Sequence, residues 1–108
     1  MSITCIITYE IEPTKKAAFE QYARNWGKII PQCGADLIGY YAPHEGSATR
    51  AYGIYNVASL ADYERYRNTL AAHPGGKANY EMAMSEQFIR SEDRIFLKLA
   101  SGSNGESQ

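Results

Sequence analysis

Cysteine is scarce in this chain. Cys5 and Cys33 are the only two, and neither belongs to a CxxC or Cys/His spacing, which argues against zinc. A chain of this length buries enough surface to hold one core without staples, so both are read as reduced thiols of a cytoplasmic protein. Basic runs are missing as well. The formal net charge is −1 and nothing could follow a phosphate backbone, so nucleic acid is not an expected partner. No apolar run reaches membrane-spanning length. The first one is broken by Thr4, Thr8 and Glu10 and lacks the cationic start of a signal peptide, so no membrane association is expected. GxGxxG, P-loop, GxSxG, HExxH and paired-carboxylate motifs are all absent, which disfavours nucleotide binding, serine hydrolysis and metalloprotease chemistry. No metal and no cofactor are expected.

Tyrosine is abundant by contrast: nine residues, against one Trp and three Phe. Tyrosine covers apolar surface while keeping a polar tip, which suits pocket walls and subunit interfaces. The 108 residues suffice for one domain, expected over residues 1–99, with 100–108 as a polar, disordered Gly/Ser tail.

Residues 3–11, ITCIITYEI, are rich in β-branched side chains and apolar on both faces, as in a central strand. Pro13 stands where a helix would start. From Thr14 to Ile30 the period is helical, with Phe19, Tyr22, Trp26 and Ile29/Ile30 on one stripe; Pro31 and Gly34 end it. Strands are predicted at 36–42 and 49–57, joined by a turn around Pro43, Glu45 and Gly46. Ser59 is an N-cap with Asp62 in capping-box position. The helix it opens runs to Ala72 with Leu60, Tyr63, Arg67 and Leu70 as its stripe, and His73-Pro74-Gly75-Gly76 breaks it. A shorter helix at 78–87 and a strand at 89–99 follow.

The order β-α-β-β-α-(α)-β predicts an α+β, ferredoxin-like protomer with an antiparallel sheet, with strands 1 and 3 central and parallel to each other and both main helices on one face. The uncovered face carries apolar groups, including either Tyr40 or Tyr41. A second copy packed sheet to sheet would cover it, so a homodimer closing one α/β barrel is expected.

Four segments resemble the NIPSNAP family of the dimeric α/β-barrel superfamily. They are TYEIEPTKKAAFEQY, the turn-in at Leu37–Tyr41 followed by Gly46, the strand-to-helix passage YNVASLADYERYR, and the His73-Pro74 break. The family's first strand usually carries a Glu and an Arg at positions that look like Cys5 and Ile7 here. Of two Arg residues four apart in its second helix, the first looks like Tyr63, and Arg67 is kept. The resemblance implies the same barrel and a function within a broad range: cofactor-free monooxygenases, haem-degrading enzymes, lactone or muconate-type isomerases, or binding modules.

Among candidate site residues, Arg67 lies on the apolar face of the second helix. There it pairs with Glu64, snorkels to the surface, or anchors a carboxylate or enolate. His44, in the loop near Arg50, is the weak candidate for a general base. His73 suits a structural role at a helix end, and Trp26 a core role. Tyr9, Tyr40, Tyr52, Tyr55 and Tyr63 either pack the core and interface or line an aromatic pocket. A pocket is expected between sheet and second helix, lined by Tyr9, Tyr40, Tyr55, Tyr63 and Arg67, preferring planar anions, with Gly75-Gly76 as the hinge of a lid. The function that follows is a small-ligand protein. It is either a cofactor-independent oxidoreductase, monooxygenase or isomerase on a small aromatic or planar anionic compound, or a non-catalytic small-molecule-binding or interaction module.

Overall fold

The structure is a computed structural model and describes residues 2–105. Its elements run β1 (Ile3–Ile11), a 3-10 turn (Pro13–Lys15), α1 (Lys16–Gln32), β2 (Asp36–Tyr41), β3 (Arg50–Val57), α2 (Leu60–Ala72), α3 (Pro74–Glu86) and β4 (Ile89–Leu97). The ferredoxin-like order is as expected, and the strands form one antiparallel sheet in the order β2-β3-β1-β4.

Two expectations are overturned. β1 and β3 are central but antiparallel, with Cys5 opposite Tyr55 and Tyr9 opposite Ala51. The crossover through α1 makes β2 run parallel to β1, and the β2–β3 hairpin then reverses the chain. The sheet is also not closed into a barrel. β2 and β4 are its two edges, and four strands fall short of the roughly eight whose side chains can fill a closed barrel. One face packs on the helices. The other carries Ile54, Ile6 and Ile95 in a row across β3, β1 and β4, and Ile95 and Tyr41 are exposed there.

Tyr41 rather than Tyr40 lies on that open face because of a bulge. The β2–β3 register shifts between Leu37 and Gly39, leaving Ile38 as the extra residue. The shift puts Leu37 and Tyr40 on one side, with Leu37 opposite Tyr55 and Tyr40 opposite Gly53. Tyr40 thereby joins the helix-facing layer.

Phe19, Tyr22, Trp26, Ile29 and Ile30 of α1 are all buried, as the 3.6 period requires. Pro31 sits inside the last turn rather than ending the helix, because its lost hydrogen bond falls where the ladder closes anyway; Cys33 N–H reaches Ile30 C=O at 3.0 Å. The Ser59 cap of α2 is present, its hydroxyl accepting from Asp62 N–H at 3.1 Å. The buried edge of α2 is Tyr66 and Leu70, whereas Leu60 is 56% exposed.

α3 starts four residues earlier than expected. His73 is its N-cap: Nδ1 accepts from Gly75 N–H at 3.0 Å and from Gly76 N–H at 3.3 Å. Gly75 and Gly76 are thus in a capped first turn and form no hinge. Asn79, 2% exposed, ties α3 to α1 by donating to Tyr22 C=O at 3.1 Å and accepting from Asn25 Nδ2 at 2.9 Å. Residues 101–105 of the tail form turns, with Ser103 bonded to Ala100 C=O; residues 106–108 lie outside the described residues.

Candidate functional site

The layer between sheet and helices encloses a small cavity. The sheet contributes Tyr9, Tyr40 and Tyr55, and the edge strand β4 adds Glu92 and Arg94. The helices supply Trp26 from α1, Tyr66 and Arg67 from α2, and Tyr80 from α3. Alternation on β4 explains the charged pair. Arg94 lies opposite Ile7 and Glu92 opposite Tyr9, so both point to the same side as the buried residues of β1. The volume open to the centre of a water-sized sphere is about 10 Å³, room for about one water.

The polar groups around this space are unbalanced. Trp26 Nε1, the Tyr55 hydroxyl and Arg94 Nε are buried without a hydrogen-bond partner, and all three residues line the cavity. The Tyr22 hydroxyl near Trp26 and the Cys5 thiol near Tyr55 do not meet hydrogen-bond geometry. Arg94 Nη2 pairs with Glu92 Oε2 at 3.1 Å. Among the described residues no ion pair includes Arg67, so the expected Glu64 partnership is not formed. Two guanidiniums against one carboxylate leave an excess of one positive charge.

The phenols add no negative charge. Burial pushes Tyr9, Tyr40 and Tyr55 well above the ordinary phenol range, and burial pushes Tyr22 up to about 12. The Tyr9 and Tyr40 hydroxyls stand 3.2 Å apart. A cavity walled by donors, with a net positive charge and little room for water, can hold a hydrogen-bond acceptor carrying negative charge.

Of the residues singled out in the sequence, Arg67, Tyr9, Tyr40 and Tyr55 come together here. Tyr63 does not line the cavity. Its ring meets Phe96 edge-on at 4.7 Å, because Tyr66 takes the inward position on α2. His44 is exposed in the β2–β3 loop, in a separate open groove of about 530 Å³ with Tyr41, Arg50 and Tyr52. Trp26, Tyr66, Tyr80, Glu92 and Arg94 are among the lining residues that sequence reasoning missed. Trp26 reads as plain core, and the β4 pair alternates with Asp93 and Ile95, so neither face stands out. Among the described residues no group of three His, Cys, Asp or Glu is placed to hold a metal ion, and no helix is long and apolar enough to cross a membrane.

A second, open groove of about 480 Å³ lies between α3 and β4, lined by Ala83, Met84, Gln87 and Ile89. Tyr22, Tyr80 and Glu92 line both the groove and the cavity, so these three side chains are the wall between them.

A sequence model described as NIPSNAP matches residues 4–104. Comparison with curated proteins finds no match. Among solved structures, the chain is similar to a NIPSNAP family protein of unknown function from Agrobacterium tumefaciens. The TM-score is 0.82 at 21% identity, covering 95% of this chain and 92% of that one. A second NIPSNAP family protein from the same organism gives a TM-score of 0.77 at 21% identity, covering 96% and 98%. A putative antibiotic biosynthesis monooxygenase from Nitrosomonas europaea gives 0.69 at 13% identity, covering 92% and 98%. At these identities the likeness is one of fold.

Proposed function

We propose that this chain, which belongs to the NIPSNAP family, binds a small planar organic anion one of whose acid oxygens enters the cavity between its sheet and its helices. One observation carries the proposal: the buried donors Trp26 Nε1, Tyr55 OH and Arg94 Nε all lack partners and all belong to residues lining that one cavity. Each unpaired buried donor costs about 1–3 kcal/mol. An acceptor with negative charge would satisfy them together and neutralise Arg67.

Binding without catalysis is the form the geometry supports best. Glu92 is the one carboxylate among the lining residues, and Arg94 already engages it. His44, the expected base, is in another groove. The catalytic form, a cofactor-independent oxidoreductase, monooxygenase or isomerase, draws support from the fold shared with structures described as putative antibiotic biosynthesis monooxygenases, which is support at the level of fold alone. A second copy of the chain would lie on the open sheet face, away from the cavity, and light scattering decides whether it is there.

Calorimetric titration with benzoate, phenylacetate and their amides tests the proposal, with the emission of the single Trp as a local reporter. Carboxylates should bind and move Trp26 emission while the amides do neither. Binding of acids and amides alike, or of none, would remove the anion site.

A further inference from the structure

The size of the cavity selects among anions. The centre of a water-sized sphere has about 10 Å³ in which to move. A single sphere somewhat wider than water therefore fits, whereas the four oxygens of a tetrahedral anion do not. The donors are deeply placed. Trp26 is 2% exposed and Tyr55 1%, and Trp26 Nε1, the Tyr55 hydroxyl and Arg94 Nε have no partner within the protein. The charges are placed unequally. Glu92 lies at the surface, where solvent screens it, while Arg94 Nε is buried and Arg67 is half-buried.

We infer that this cavity is a halide site, in which one chloride ion accepts from Trp26 Nε1, the Tyr55 hydroxyl and Arg94 Nε. The inference rests on the anion-binding reading above and extends it. Chloride takes the place that the acid oxygen of an organic anion would fill, so the two exclude each other. A water fits the space but suits it less well. It brings two hydrogens of its own, which must find acceptors in a wall of phenols, an indole and guanidiniums. A halide brings none and accepts from every side. Its dehydration is costly, and the two guanidiniums set against one carboxylate supply the positive charge that offsets it. Arg67, Tyr80, Glu92 and Arg94 line the cavity and also reach solvent, so an ion exchanges past side chains that change rotamer, without opening of the fold.

The full chain is titrated with chloride in sodium sulfate at constant ionic strength. The readouts are the linewidth of the chloride magnetic resonance and the emission of Trp26, the single tryptophan. The chloride signal should broaden saturably in the presence of the protein. Bromide should displace chloride and quench Trp26 emission to a plateau, and sulfate should do neither. The apparent affinity for benzoate should fall in proportion to the chloride added. Tyr55→Phe removes one hydroxyl and keeps the ring, so it guards against a folding defect; it should weaken chloride about tenfold or more, because a hydrogen bond to a charged group is lost. Arg94→Met should weaken it further, and Arg65→Met, on the outer surface of α2, should leave it unchanged.

Absence of saturable broadening with benzoate still bound would overturn the inference and leave the organic anion site standing. Binding of neither chloride nor benzoate would take both down. Chloride that sulfate displaces as well as bromide does, or that Tyr55→Phe and Arg94→Met hold as tightly as wild type, would be an adventitious ion only, and the halide site would fall. Benzoate bound equally with and without saturating chloride would overturn it as well, because one seat cannot hold both.

Discussion

The Tyr40 ring fills the space that a side chain at residue 53 would need. A Cβ built on Gly53 would stand 2.7 Å from both Cε2 and Cζ of Tyr40. The two residues face each other across β2 and β3, and the bulge at Ile38 is what turns Tyr40 toward this seat. With its ring held there, Tyr40 places its hydroxyl 3.2 Å from that of Tyr9. The bare backbone of Gly53 and the bulge two residues before Tyr40 therefore work together to bring an edge-strand tyrosine into the cavity wall.

Gly53→Ala should therefore displace the Tyr40 ring and break the Tyr9–Tyr40 contact. Overpacking of this kind costs about 1–3 kcal/mol. Urea denaturation should show a lower midpoint with an unchanged slope, and Tyr40→Ala in the same background should recover part of the loss by vacating the space. An alanine at residue 53 that leaves stability intact would mean the ring has an equally good second position.

His73 links three elements through one imidazole. Nδ1 caps α3, Nε2 lies 3.0 Å from Gln32 Oε1 at the end of α1, and the backbone N–H closes α2 on Leu70 C=O. His73→Ala should cost about 1 kcal/mol, as for loss of an N-cap side chain, and His73→Asn should restore most of it. Gly76→Ala should be worse than His73→Ala, because a Cβ there would stand 2.7 Å from the Leu70 carbonyl oxygen, a backbone atom that cannot step aside. Thermal melts of the three variants give the order directly.

The elements themselves were legible because their patterns are strong. The α1 stripe of large aromatic and aliphatic residues at 3.6 spacing left one inward face, and Phe19 through Ile30 took it. α2 was misread in detail. Its sequence, LADYERYRNTLAA, mixes aromatic and basic groups around the helix, so two stripes one residue apart fit almost equally well. The sheet chose Tyr66 over Tyr63. The β4 half of the cavity was hidden for a different reason. Charged and apolar residues share both faces of SEDRIFL, and only the register against β1, set by long-range pairing in which even the nearest pair, Ile11 and Ile89, has residues 12–88 and all three α-helices between its members, turns Glu92 and Arg94 inward. Arg67 was found because a charge on an apolar stripe demands an explanation. Trp26 was passed over because an indole in a core usually needs none.

Buried tyrosines make an alkaline limit. Burial raises the Tyr22 phenol to about 12, and burial likewise raises Tyr9, Tyr40 and Tyr66. In the unfolded chain each ionises near the ordinary phenol pKa of about 10. A raised folded value means the native state holds its proton longer, so the contribution to stability is complete below about pH 10 and lost as pH rises toward the folded value. The loss approaches about 1.4 kcal/mol per pH unit for each such tyrosine. Tyrosinate absorbance at 295 nm should therefore rise in two stages: exposed tyrosines first, and the buried set only together with loss of the far-ultraviolet circular dichroism. A single smooth titration with the fold intact would contradict this.

Arg67 separates charge from packing. Its guanidinium has no ion-pair partner among the described residues, and it shares the cavity with a second guanidinium, that of Arg94. Burial and Arg94 oppose its charge, but the neighbouring phenols of Tyr80, Tyr63 and Tyr55 favour it, and the guanidinium is held above its ordinary range. Arg67→Met keeps the stem and removes the charge. Because no pair is broken and one like-charge contact is relieved, stability should stay within about 1 kcal/mol of wild type or rise. Binding should behave differently. If a carboxylate sits among the unpaired donors, loss of a charged partner costs it about 1.5–3 kcal/mol, which is a tenfold to hundredfold weakening for phenylacetate, while phenylacetamide is unaffected. Arg65→Met is the control on the same helix. It removes a guanidinium paired with Asp62 on the surface, so it should leave phenylacetate binding unchanged. Equal weakening by Arg67→Met and Arg65→Met would show that only the overall charge of the helix matters. Weakening confined to Arg67→Met would place the anion beside that one guanidinium.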